Sequence, residues 1–232
     1  MIDFEKSFQV LERIDKQYKN HMCLKREINE AMGSDFSFEK LSSLSLMDAL
    51  RYCYEKLGYA IGIGSSRSVF QIDDVQVLKI AGNDKGIAQN KVEAATKDMH
   101  SSLFPYIFYV DKDYKWIVTE FVLDATYKDF EQCIDEYYND FFFGIIPAIK
   151  ELKYQNGMED FDKLIKHLNV QKHYGFYKDL AEYILNYDIP IGDIQCIQNW
   201  GLAKRNGKER LVILDPGWNK ETMQMYGCIP SN

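Results

Sequence analysis

The 232 residues are 46% hydrophobic and 27% charged, with 28 basic against 35 acidic side chains and a formal charge of −7. That balance suits one globular unit or two small lobes with a real core, argues against a surface that coats nucleic acid, and leaves no apolar run long enough to span a bilayer. Five scattered cysteines (Cys23, Cys53, Cys133, Cys196, Cys228) without a CxxC, and four histidines (His21, His100, His167, His173) at no zinc-like spacing, exclude a disulfide scaffold and a structural metal as expectations. Met1-Ile2-Asp3-Phe4-Glu5 does not read as a secretory leader, so a cytoplasmic location is expected, the host cytoplasm if a phage encodes the chain.

Residues 3–32 carry Phe4, Phe8, Leu11, Ile14, Tyr18, Met22 and Ile28 at helical spacing, with Gly33 as a stop. Ser34-Asp35 opens a second partly helical stretch, and Ser45 starts a third helix that ends at Leu57-Gly58. From Tyr59 the pattern turns to strand: 59–64, 68–72 and 75–80. A helix over 83–100 follows, with Ile87, Asn90, Glu93, Ala94 and Lys97 along one face, then strands over 104–110 and 115–122 around the turn Asp111-Lys112-Asp113. The order β-β-β-α-β-β predicts a mostly antiparallel sheet crossed by one helix. Residues 126–140, 142–155 and 159–186 read as amphipathic helices, the last broken near Tyr174-Gly175. Trp200–Arg205 and Arg210–Leu214 around Asn206-Gly207 form a hairpin running into Asp215-Pro216-Gly217.

The most informative stretch is Gly62-Ile63-Gly64-Ser65-Ser66-Arg67-Ser68-Val69-Phe70, followed by Val77-Leu78-Lys79. Two glycines one apart let backbone N–H groups approach an anion with no Cβ in the way. Lys79 stands on the return strand, where its ammonium meets the same anion, and a lysine inside an apolar strand is costly unless paired. Taken singly, each feature has a plainer reading. Lys79 is then a snorkelling edge-strand lysine, Glu93 a solvated helix face, Asn199-Trp200-Gly201 a loop entering a strand, and Asp215-Pro216-Gly217 an ordinary turn.

Taken in order, these residues resemble the signature set of the protein-kinase-like fold. The resemblance covers Tyr59 to Gly217, and its compactness is similar to small bacterial and phage kinase-like proteins such as the early protein kinase of T7-like phages. It implies an α+β, two-lobed kinase-like fold, with residues 1–57 as a helical extension, 58–123 as an N-lobe and 124–232 as a minimal helical C-lobe. It further implies that Gly62, Gly64 and Val69 cover the nucleotide, that Lys79 holds its phosphates, and that Glu93 pairs with Lys79. The backbone of Glu120, Phe121 and Val122 would bind adenine, and Asn199 and Asp215 would hold Mg²⁺ through hard oxygen donors. ATP and Mg²⁺ are the implied cofactors. The implied activity is phosphoryl transfer to an alcohol, Ser/Thr hydroxyls of proteins first, with aminoglycoside-like or sugar-like acceptors as a subclass.

Three departures qualify what the resemblance implies. Arg67 replaces the third glycine of the loop, at what reads as a hairpin tip from which a guanidinium reaches phosphate. The catalytic aspartate of the family falls at Ile194, so Asp193, one residue away, is the candidate base. Only Trp218–Asn232 follow the Asp-Pro-Gly in this sequence, which leaves no long activation segment. Two other readings stay open beside the enzyme: a pseudokinase serving as a binding or structural module, and an α+β interaction protein without nucleotide. Acidic residues of the helical region (Asp129, Glu131, Asp135, Glu136, Asp140, Glu159, Asp160) suit a cationic acceptor or merely a solvated face, and the aromatics Tyr127, Phe130, Tyr137, Tyr138, Phe141, Phe142 and Phe143 read as core.

Overall fold

The computed structural model describes residues 36–99, 102–187, 189–205, 207–217, 220–225 and 227; the helix expected over residues 3–32 lies outside them. Contacts divide the chain into two units, Met1–Tyr59 and Ala60–Asn232. In the first, α1 (Phe38–Ser43) begins where Ser37 Oγ accepts the Lys40 N–H at 3.2 Å, and α2 (Leu46–Leu57) where Ser45 Oγ accepts the Asp48 N–H at 3.3 Å. Gly58 ends α2 at φ +82°, a conformation that favours glycine. Phe36 stacks on Tyr52 at 5.4 Å between ring centroids.

In the second unit, β1 (Gly62–Ile63), β2 (Arg67–Gln71), β3 (Gln76–Ala81), β4 (Ile107–Val110) and β5 (Trp116–Glu120) form one antiparallel sheet in the order β1-β2-β3-β5-β4. α3 (Asp84–Ala95) connects β3 to β4 and is capped by Asn83, whose side-chain oxygen accepts the Gly86 N–H at 3.2 Å. A Cβ at Gly86 would lie 2.3 Å from the Ser66 carbonyl oxygen, so the first turn of α3 seats directly against the β1–β2 turn. Register pairs Lys79 with Val69 on one side and Ile117 on the other. β3 is therefore central, every residue in it is buried, and Lys79 is not an edge-strand lysine.

A second sheet, missed by the sequence pattern in part, has the order β6-β7-β8. β7 (Trp200–Arg205) and β8 (Lys208–Ile213) are the expected hairpin, and Gly207 takes φ +78° in its turn. β6 (Leu123–Asp124) is a two-residue strand that continues from β5 and pairs with β7, tying the large sheet to the small one. A strand that short carries no readable period.

The helices are α4 (Tyr127–Ile134), α5 (Ile146–Glu151), α6 (Phe161–His167), α7 (Tyr174–Tyr187), α8 (Ile191–Ile194) and α9 (Lys220–Met225). Asp129 accepts the Thr126 N–H at 2.6 Å to start α4. A short helical turn, Tyr138–Asp140, continues through a wider π-type turn, Phe141–Ile145, into α5. The helix expected over 159–186 with a break near Tyr174-Gly175 is α6 and α7, the break lying just before Tyr174, where Asn169 adopts φ +59° and Gln171–His173 winds tightly. No described helix is long and apolar enough to cross a membrane.

Trp200 centres the helical core. It is fully buried, with the rings of Phe141, Phe130, Phe142 and Phe176 at 5.5, 5.7, 6.1 and 6.2 Å, and its indole N–H donates to Ile194 O at 2.8 Å. The aromatic run expected as core divides: Phe130, Phe141 and Phe142 are buried, whereas Tyr127, at the first position of α4, Tyr137, between helices, and Phe143, in the turn over 141–145, face solvent. Cys53, Cys133 and Cys196 are free thiols, and burial pushes Cys53 up to about 12. Trp200→Ala is expected to cost about 3–5 kcal/mol in urea unfolding; an unchanged midpoint would place the core elsewhere.

Candidate functional site

Lys79 is 8% exposed, and a buried ammonium must find acceptors. It finds two: Nζ donates to Glu93 Oε1 at 2.6 Å, across from the sheet to α3, and to Leu214 O at 2.7 Å, from the end of β8. The lysine thus joins the large sheet, α3 and the small sheet at one point. Glu93, 2% exposed, is no solvated helix face. Its second oxygen accepts from Arg67 Nη1 at 2.7 Å.

Arg67 is the residue that sequence reasoning misplaced. It does not stand at a hairpin tip reaching outward; it is 7% exposed and turns inward from β2. Nη1 also donates to Asn90 Oδ1 at 3.1 Å, and Nη2 donates to Asp215 Oδ1 at 2.5 Å. Two cations and two carboxylates therefore close a chain from Lys79 through Glu93 and Arg67 to Asp215. Burial alone would raise the Asp215 carboxyl, but Arg67 and then Lys79 outweigh it and hold it below the usual carboxylate range. Burial likewise works against the Arg67 charge, and Asp215 and Glu93 overcome it, so the guanidinium stays protonated. No local signal in the sequence pointed to this, since the resemblance assigns the charge beside Asp215 to Mg²⁺.

A cleft of about 760 Å³ opens over the cluster, walled by Gly62, Gly64, Val69, Lys79, Glu120, Phe121, Val122, Asn199 and Asp215, and by Arg67. Glu93 lies behind this wall. Neither Gly62 nor Gly64 has a left-handed φ, and a Cβ at either would meet its nearest neighbour at an ordinary 3.6 or 3.5 Å. The fold itself makes no demand for these two glycines, and both face the cleft.

The segment joining β5 to β6 is partly used up. The Glu120 N–H donates to Tyr106 O and the Phe121 N–H to Val75 O, both at 2.8 Å, so of the three backbone amides in this segment those two are already spent within the fold. The Glu120 side chain is also committed, holding Arg205 through paired contacts of 2.5 Å while Arg205 lies 3.9 Å over the Tyr106 ring. That strut from β7 was not anticipated, because nothing local in either segment announces its partner.

Asp193 lies on α8 rather than in a loop, and its carboxylate is not on the cleft wall. Its main-chain oxygen accepts the Asn199 side-chain N–H at 2.9 Å, while Oδ2 is buried without a hydrogen bond among the described residues. Burial, and then the charge of Asp215, pushes its carboxyl up to about 6.

The Mg²⁺ expected on Asn199 and Asp215 does not fit this arrangement. Asp215 Oδ1 already takes the Arg67 guanidinium and, at 3.2 Å, the Gly217 N–H. A divalent ion sharing that carboxylate, about 4 Å from a guanidinium, meets a repulsion on the order of 8 kcal/mol at an effective dielectric constant of about 20.

The strand order β1-β2-β3-β5-β4, the helix-borne glutamate against the β3 lysine, and the aspartate after the last strand give the chain a mixed α+β fold in the order of elements that the resemblance implies. No family model matches the chain, and no curated relative matches it. Among solved structures it is similar to the streptomycin–ATP ternary complex of APH(2'')-IIa, at a TM-score of 0.35 and 13% identity over 73% of this chain and 70% of that one. It is also similar to ADP-bound aminoglycoside phosphotransferase APH(2'')-Ib, at 0.36 and 14% over 72% and 69%.

Glu93→Ala leaves two buried cations on one carboxylate and is expected to cost about 3–5 kcal/mol. Gly62→Ala is expected to stay within about 1 kcal/mol of the parent. Equal losses in denaturant titration would contradict the division of labour described above.

Proposed function

We propose that this chain binds ATP in the cleft beneath the β1–β2 hairpin and transfers its γ-phosphoryl group to an alcohol. The observation that carries this reading is Lys79, held by Glu93 and Leu214 O at the floor of a 760 Å³ cleft beside Asp215. An ammonium fixed on two acceptors is pre-positioned, and phosphoryl transfer asks mainly for positioning and charge neutralisation. Gly62 and Gly64 let backbone amides approach the phosphates, Val69 packs on the base, and the Val122 amide and the Glu120 carbonyl serve its edge. Asp193 is the base: it takes the proton of the acceptor hydroxyl as the new O–P bond forms and the bond from the γ-phosphorus to the β-bridging oxygen breaks, releasing ADP. Its unpaired Oδ2 and a pKa near 6 support that role, which requires the buried carboxylate to turn from behind the cleft wall toward the acceptor. Ser/Thr hydroxyls of proteins are the acceptor class we favour, with small polyhydroxylated molecules as the subclass beside them.

A second reading, nucleotide binding without transfer, is favoured by one specific observation: Arg67 sits on Asp215, which the resemblance reserves for a metal.

Transfer of radiolabel from γ-labelled ATP to a mixture of protein substrates or to added amino-sugars tests the first reading, and ATP binding with no transfer to either selects the second. Because the base must be ionised, kcat is expected to rise with pH and reach half its plateau near pH 6. Asp193→Asn is expected to lower kcat by about 10²–10⁴-fold and abolish that rise. A rise that persists in Asp193→Asn would exclude this residue as the base.

A further inference from the structure

We propose that Arg67 takes, at Asp215, the place of a divalent cation, so that the cleft binds a nucleoside polyphosphate without a metal ion. The inference rests on the nucleotide reading of the cleft and concerns binding alone, whether or not transfer follows.

Three observations carry it. First, the guanidinium is already where the charge is needed. Nη2 lies 2.5 Å from Asp215 Oδ1, and Arg67 itself forms part of the cleft wall next to Gly64 and Lys79. Second, the cluster has donors to spare but no charge to spare. Of the five guanidinium N–H groups, Nη1 uses two on Asn90 and Glu93 and Nη2 uses one on Asp215. The Nε–H and the second Nη2–H make no hydrogen bond among the described residues, and Lys79 spends two of its three ammonium hydrogens. A planar fork with open N–H groups matches phosphate oxygens, whose negative charge the two cations then share.

Third, exchanging Arg67 for a metal is locally forbidden. Glu93 Oε2 and Asn90 Oδ1 both depend on Arg67 Nη1, and Glu93 and Asn90 are fully buried. Swinging the guanidinium away to admit an ion would strip both of a partner inside the protein, where unpaired polar atoms are not tolerated. A divalent ion added without that swing would stand beside two cations. The arginine is therefore a permanent part of the site and not a stand-in that leaves when ligand arrives.

The test is calorimetric titration of the full chain with ATP, once in EDTA and once in excess Mg²⁺. The Kd values are expected to agree within about threefold. A larger loss of affinity in EDTA overturns the inference while leaving the nucleotide reading intact, and no binding in either buffer overturns both. Arg67→Met is expected to weaken binding in EDTA by about tenfold or more. A folded Arg67→Met protein that binds ATP in EDTA as tightly as the parent overturns the inference; should that variant not fold, the two parent titrations decide the matter alone.

Discussion

The ion cluster of Arg67, Lys79, Glu93 and Asp215 is the constraint on which the second unit depends. Each charge comes from a different place: β2, β3, α3 and the segment after β8. Taking any of them out of water alone would be prohibitive, so four elements must converge before any of the four charges is accommodated. Buried ion pairs are often no more stabilising than apolar residues of the same volume. Their presence here argues for position over stability: the cluster fixes where the large sheet, the crossing helix and the small sheet meet, and the cleft lies at that meeting point.

Three further contacts hold the rest in register with it. Trp200, locked among phenylalanine rings and bonded to Ile194 O, fixes the residues on either side of it. Asn199 is its neighbour, and the Leu214 N–H donates to Asn199 O at 2.8 Å, so the helical core sets the height of the strand end that carries Asp215. Tyr183, whose hydroxyl donates to Pro216 O at 3.2 Å, holds the same segment from α7. On the other side, the Glu120–Arg205 pair ties the exit of β5 to β7. The cleft is thus framed at both ends by contacts made far from it in sequence.

Legibility in the sequence follows the range of the forces involved. The large sheet, its crossing helix and the hairpin at Gly207 were readable because those elements carry their own period, cap or turn residues. The pairing of Lys79 with Glu93 was readable only through order along a known fold, since no local signal links residues 14 apart on a strand and a helix. β6 escaped because two residues have no period, and the π-turn at Phe141–Ile145 because it interrupts a helical pattern without a proline or glycine stop at its start. Arg67 was misread for a different reason. A charge in a glycine-rich turn is ordinarily solvated, and its inward course is decided by acids at positions 93 and 215, distant in sequence.

The charge balance of the cleft also bears on what it selects. The chain as a whole carries a formal −7, which repels anions at long range, and the cluster beneath the cleft is neutral. On the nucleotide reading, attraction of a polyanion comes from short-range, directed donors: the unused N–H groups of Lys79 and Arg67, and turn amides other than that of Gly64, which donates to Arg67 O at 2.8 Å. Donors of that kind discriminate by geometry, since each is worth most when an oxygen lies on its axis. A site built on a bare excess of positive charge would accept any anion of sufficient charge. On the nucleotide reading proposed above, one built on fixed donors over a neutral base favours anions whose oxygens can lie on the axes of those donors.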